Sequence, residues 1–194
     1  LLEEGLRPKS PGQLVQQCGV GLVPININDD GSLAFHAPQA TIVPFSDEHT
    51  PLLEKTLGIT GVGSACIDKR YPPAAVHMGI RWLVIRVDSA DTCLNTIPDA
   101  EALSAVQNLS QTNGIAIYGP HDNGTPADYE VRAFYIERGY LKEDPVTGSA
   151  NACLAALLRQ PHSTNTVTAP LSYLARHGTT LQRVGPATVT YLHA

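Results

Sequence analysis

The stretch "EDPVTGSANACLAALL", residues 143–158, sets two carboxylates, a proline and a Thr-Gly-Ser step directly before a run of Ala and Leu. Its second half reads as a helix: Ser149 is the expected N-cap, Leu154, Leu157 and Leu158 form one face, and Ala150, Ala152, Ala155 and Ala156 fill the rest. A helix that is apolar on every side is a buried helix. Even when buried it must satisfy its free N-terminal N–H groups, and Gly148 leaves the backbone open to close approach. That end therefore suits an anion such as a substrate carboxylate, with Thr147, Gly148 and Ser149 as candidate binding residues.

The acid pair admits two readings. An acidic residue beside a helix N-terminus complements the dipole, for a few tenths of a kcal/mol to about 1. Alternatively, Pro145 restricts Asp144 to an extended conformation that aims its carboxylate at whatever the helix end binds, which makes Asp144 the candidate catalytic residue. Arg132, in a strand pattern leading to the motif, can hold Asp144 or a substrate carboxylate through its planar fork, against the plainer reading of a structural ion pair. No Lys follows the Gly-Ser step, so this is not a phosphate-cradling loop, and "GVGSAC" from Gly61 lacks the third Gly of a dinucleotide fingerprint. No cofactor is expected.

The rest of the chain supports a small-molecule protein. Thirteen Lys and Arg against eighteen Asp and Glu give a net charge of -5 without a basic block, so neither nucleic acid nor an anionic membrane has electrostatic support. The apolar runs, such as "WLVIRV", are too short to span a bilayer, and no signal-peptide layout stands at the start, which sets the expectation of a cytoplasmic protein. Cys18, Cys66, Cys93 and Cys153 are widely spaced and read as reduced thiols rather than a zinc site or disulfide framework. The seven His show no metal-like spacing, so no metal site is expected, and His36, His77 and His121 read as structural.

Along the chain, "LLEEGL" at residues 1–6 reads as the end of a helix, and "VPININ" and "SLAFHA" as a hairpin around Asn-Asp-Asp-Gly. "TPLLEKTLGI" is a short helix with Thr50 as N-cap, stopped by Gly58. The turn-rich "TGVGSACIDKRYPP" then places a boundary near residue 60. Beyond it come a long apolar strand pattern over "AAVHMGIRWLVIRVDS", with Gly79 as a bulge or close-approach glycine, and an amphipathic helix over "DAEALSAVQNLSQTNG" with Leu103, Val106 and Leu109 on one face. Strands at "IAIYGP" and "DYEVRAFYIERG", a loop carrying the motif, its helix, and two closing strands complete a mixed α+β order without a Rossmann repeat. Trp82 and Met78 read as core.

These residues resemble a known pattern. "EDPVTGSANACLAALL" preceded by "VRAFYIERG" is similar to the signature of the phenazine-biosynthesis (PhzF-type) isomerase family. "GIRWLVIRVDS", "DDGSLAFHAP" and "ARHGTTLQR" resemble, in turn, its second-half opening strand, its first-half hairpin and its C-terminal Gln-Gly-x-x-x-x-Arg region. The resemblance implies a diaminopimelate epimerase-like fold: two lobes, each a curved mixed sheet around a central helix, with the active site between two helix N-termini. Residues 1–60 would be the remainder of the first lobe, and 61–194 the second, with central helix 149–159.

The implied activity is cofactor-independent proton transfer on a small carboxylate-bearing metabolite, by a homodimer. Relatives that work through two Cys are disfavoured, since no Cys lies at residues 143–149. The family's proton-transferring Glu and its Gly-His-Pro segment are expected upstream of "LLEEGL", so only part of the first lobe is expected here and the chain is expected to be inactive alone. Two other readings stay open at this stage: a non-catalytic ligand-binding or interaction protein, and a hydratase, lyase or racemase variant.

Overall fold

The structure, a computed structural model, describes residues 7–19, 21–35, 37–58, 67–160, 172–182 and 185–190. The expected helix end at residues 1–6, the first half of the turn-rich segment, His36 and Cys66 lie outside them. Two compact units are present, Leu1–Gln39 and Ala40–Ala194.

The first unit is an antiparallel meander of β1 (Gln13–Cys18), β2 (Gly21–Ile27) and β3 (Leu33–Phe35). The expected hairpin is β2–β3. Its turn is closed by Gly31 N–H donating to Asn28 O and by the Ser32 amide donating to the Asp30 carboxylate. Cross-strand register puts Leu14, Ile25 and Phe35 on one face, and alternation adds Val23, Ile27 and Leu33 to it.

The second unit runs β4 (Thr41–Pro44), α1 (Thr50–Thr56), β5 (Ala74–Met78), β6 (Ile80–Arg86), α2 (Ala90–Asn95), α3 (Ala100–Ser110), β7 (Gly114–Pro120), β8 (Tyr129–Glu137), β9 (Tyr140–Asp144), α4 (Gly148–Leu158), β10 (Ser172–His177) and β11 (Gly185–Thr190). The boundary expected near residue 60 falls inside this unit, because β4 pairs with β5 and α1 carries Leu53 into its core. The strands form one mixed sheet in the order β11-β10-β8-β7-β6-β5-β4, with β9 added beside β8. Helices cover both faces. Trp82, Val84, Ala116, Val131 and Ala133 pack on α4, while Leu83, Ile85, Ile115, Ile117 and Phe134 meet α1, α2 and α3. A strand buried on both faces has no polar side to show, which is why "WLVI" in β6 is continuous.

Several local expectations shift for stated reasons. Gly79, at φ 94°, turns β5 into β6 rather than forming a bulge. A short 3-10 turn at Asp47–His49 leads straight into α1, so His49 precedes the helix and Thr50 is its first residue rather than its cap. In α3, Leu103 and Val106 are buried, but Leu109 is exposed: six residues carry it about 240° round the axis from Leu103. The expected loop before the motif is the strand β9, and α2, capped by Ser89 accepting from Thr92 N–H, is an element the sequence reading did not contain.

Two strands share one edge of β8. β10 lies parallel to its start, through Ala175↔Tyr129 and Arg176↔Glu130, while β9 lies antiparallel to its end, from Ala133↔Asp144 to Glu137↔Tyr140. The last residue of β9, Asp144, and the last of β10, His177, thus come together over the middle of β8, on the α4 face. His177 is wholly buried there, and burial lowers its pKa from the usual 6.5 to about 4, opposed only partly by the Asp144 charge.

A group whose folded-state pKa is depressed in this way binds fewer protons folded than unfolded between pH 4 and 6.5, so stability is fully present above pH 6.5 and declines as the pH falls through that window. We predict that the His177 share of this loss is about 2 kcal/mol between pH 7 and pH 5. Urea unfolding at the two pH values, compared with His177→Phe, checks it: the variant should lack that share of the decline.

Candidate active site

Glu143 and Asp144 are neighbours in β9, and neighbouring strand residues point to opposite faces. Asp144 stands across from Ala133, which packs under α4, and Glu143 across from Phe134, which packs under the other three helices. The two carboxylates of the motif are therefore divided by the sheet. After Pro145 the chain leaves the ladder, and Asp144 Oδ1 accepts the Val146 N–H at 3.2 Å, a turn that ties the carboxylate to the loop leading into α4.

Arg132 sits on the Glu143 side and does not join Asp144. Its Nε and Nη2 donate to Glu143 Oε1 and Oε2 at 2.8 and 2.9 Å, and its Nη1 donates to the carbonyls of Cys93, Leu94 and Thr96 at the end of α2. The guanidinium also stacks on Phe134, 4.6 Å from the ring centre. A buried cation so engaged closes a helix C-terminus and commits four of its five N–H groups to protein acceptors. The substrate-binding role expected for Arg132 gives way to the structural ion pair. A recess of about 250 Å3 on this same side is lined by Thr96, Ile97, Pro98, Phe134 and Leu141, but its charged groups are already paired, and the sheet separates it from Asp144.

The helix begins one residue earlier than expected. Thr147, not Ser149, is the N-cap: it is extended, 3% exposed, and its Oγ1 accepts the Ala150 N–H while its carbonyl accepts the Asn151 N–H. Ser149 lies inside the first turn, and its Oγ accepts the indole N–H of Trp82 at 2.9 Å, anchoring the helix start to β6. Of the amides at the start of α4 that lack an intrahelical acceptor, that of Ala150 is thereby met, whereas those of Gly148 and Ser149 have no partner among the described residues. Gly148 is exposed, and a Cβ built on it meets nothing within 4 Å, so there is open room above the free amides.

Beneath this end lie two polar residues that sequence reasoning passed over. Asn151, 4% exposed, donates through Nδ2 to Thr147 O and to His177 Nε2, and its carbonyl accepts from the Tyr173 hydroxyl. Period-two alternation over Tyr173, Ala175 and His177 carries the signal: a histidine on the buried parity of a strand calls for a partner. Cys153, one turn further in, donates its S–H to Val76 O, and burial pushes its thiol up to about 11. Burial raises the Cys93 thiol further still, so neither is a thiolate near neutral pH.

Of the sequence-expected residues, Asp144, Thr147, Gly148 and Ser149 converge and Arg132 does not. The arrangement offers two free amides at the positive end of a helix dipole, a carboxylate held beside them and room for a small molecule.

The structure can be set beside known proteins. A phenazine biosynthesis protein of the PhzF family from Bacillus anthracis has a TM-score of 0.75 at 18% identity, covering 96% of this chain and 62% of that one. A Pseudomonas aeruginosa protein described as a predicted epimerase has a TM-score of 0.70 at 16% identity, over 92% of this chain and 58% of its own. A PhzF-family protein from Enterococcus faecalis has a TM-score of 0.56 at 18% identity, over 93% and 58%. At such identities the likeness shows a shared fold, the α+β, diaminopimelate epimerase-like class expected from the sequence, and the chain spans less than two thirds of these relatives' length. No curated protein matches the chain. Residues 1–192 match the family described as phenazine biosynthesis-like protein, PhzC-PhzF, and the chain belongs to that family.

Proposed function

We propose that the protein is an isomerase or epimerase that moves a proton on a small carboxylate-bearing metabolite without a cofactor or metal. The observation that carries this reading is the pair of unpartnered amides at Gly148 and Ser149 beside the Asp144 carboxylate. A substrate carboxylate would accept from those amides, which helix polarity strengthens, and Thr147 would hold them in place as the cap. Its neighbouring carbon would then face Asp144, whose oxygens can take or orient a proton. A proton shift also needs a second group, and the proposal assigns it to the part of the family fold that this chain does not span. The description of one structural neighbour as a predicted epimerase agrees with this chemistry. A homodimer and a cytoplasmic setting complete the proposal, the former open to light scattering.

Incorporation of deuterium from heavy water into candidate acids by the protein extended to the length of its family relatives, followed by proton NMR, is the direct test, with this chain alone expected to bind the acid without exchange. Exchange at carbon with no change of molecular formula is the expected result. An extended protein that binds the acid with no exchange would be a ligand-binding member, and a product of altered formula would mean a hydratase or lyase.

In that extended protein Asp144→Asn is expected to lower turnover at least tenfold, about 1.4 kcal/mol of transition-state stabilisation, with the unfolding midpoint little changed. Unchanged turnover would remove Asp144 from the reaction. Because a side chain at Gly148 meets open space, Gly148→Val should fold normally yet weaken binding of the acid at least tenfold by calorimetry. Undiminished affinity in that variant would place the carboxylate elsewhere.

A further inference from the structure

Two buried polar atoms beneath the α4 N-terminus have no hydrogen-bond partner among the described residues, Asn151 Oδ1 and His177 Nδ1. The contact between the two residues settles where the imidazole proton sits. Asn151 Nδ2 donates to Thr147 O at 3.0 Å, which sets the orientation of the amide, so the second proton of the same nitrogen meets His177 Nε2 as an acceptor. A neutral imidazole that accepts at Nε2 carries its proton at Nδ1. His177 thus holds a buried N–H donor with nothing to receive it.

The elements around the ring supply few candidates to receive it. From α4 the ring meets Asn151; β8 turns apolar Val131 and Ala133 to this face, with Glu130 and Arg132 on the other; β9 brings Asp144. Asp144 is the charged group that acts on His177. That carboxylate accepts one hydrogen bond, from Val146 N–H to Oδ1, and no described residue donates to Oδ2. An unmet donor and an unmet acceptor therefore end adjacent strands, on one face, beside the free amides of Gly148 and Ser149.

We propose that His177 is a positioning residue for Asp144: when the site is occupied, its Nδ1–H donates to the Asp144 carboxylate and fixes the oxygen that faces the substrate carbon, while Asn151 holds the ring from the opposite side. This rests on the reading of Asp144 as a substrate-facing group. Hydrogen bonds of working sites often tighten only in the occupied state, and the closure is assigned to that state. Being buried and neutral near pH 7, His177 orients the carboxylate without supplying a charge or exchanging its own proton.

The test uses the intact protein labelled with 15N at histidine, with wild type, Asp144→Asn, His177→Phe and His177→Gln. Long-range proton–nitrogen spectra of the wild type should show His177 protonated at Nδ1, and its Nδ1 resonance should move in Asp144→Asn and with an added carboxylic acid that saturates the site. In the deuterium-exchange assay, His177→Phe, which keeps the ring volume without a donor, should lower kcat about tenfold with KM within about twofold, and His177→Gln, which can both accept from Asn151 and donate, should recover most of the loss. A proton at Nε2, or an Nδ1 resonance that with the acid bound is the same in wild type and Asp144→Asn, overturns the proposal, as does wild-type kcat in His177→Phe. Should His177→Phe not fold, or should no acid exchange deuterium in any form of the protein, the spectra of wild type and Asp144→Asn still decide the hydrogen bond, and the second case counts against the isomerase reading alone.

Discussion

Everything in the second unit answers to one requirement, that a helix with no polar face be buried. Leu154, Leu157 and Leu158 of α4 leave water almost completely, for about 1.5–3 kcal/mol each, and Ala150 and Cys153 let the helix lie close against β5 and β6. Burial of that kind moves the difficulty to the helix start, where four amides lose their solvent. The Thr147 hydroxyl caps one of them, that of Ala150, and leaves those of Gly148 and Ser149 facing open space. A cap that met all four would have made a more stable helix and no binding site.

The sheet does the second part of the sorting. Through alternation alone, β9 sends Glu143 to a face where Arg132 uses it to close α2, and Asp144 to the face where α4 begins. The structural carboxylate and the half-buried Asp144 are consecutive in sequence, and this proximity fixes the height of Asp144 against the sheet: a displacement of β9 along β8 would break the buried Arg132–Glu143 pair, whose disruption leaves an uncompensated charge and costs several kcal/mol. The ion pair on one face thus holds the register of the site on the other.

How much of this was legible depended on whether the deciding physics is local. Helix α4, α3 and the hairpin at residues 21–35 follow from periodicity and turn residues, and the convergence of Asp144 with Gly148 and Ser149 follows from helix-end chemistry. Choosing Thr147 over Ser149 as cap turns on backbone angles, since two hydroxyls two residues apart are equal candidates in sequence. Tyr140–Asp144 hides as a strand because its exposed outer half does not alternate. That Arg132 shares a side with Glu143 and not with Asp144 is not legible, because the register of β8 against β9, which decides what shares a side with what, is not written in either strand. His177 went unremarked for a related reason: its partner Asn151 is remote in the chain, and only the fold brings them together.

The divided edge of β8 has a kinetic side. Its β9 half is closed by a tight turn between residues 137 and 140, while its β10 half is reached only after the chain has passed through α4 and returned. Closing the short loop forfeits far less chain entropy than closing the long one, so Asp144 is set in place by early, local pairing and His177 by late, distant pairing. The same asymmetry operates in the folded molecule. β10 meets β8 in two register pairs, with Asp128 and Leu174 bonded beside them, against five pairs for β9, so opening of the β10–β11 ribbon would dismantle the imidazole half of the site while the carboxylate stayed at its post. The two halves of this small polar cluster accordingly have different lifetimes, with the shorter one set by the stability of a two-stranded ribbon at the sheet's edge.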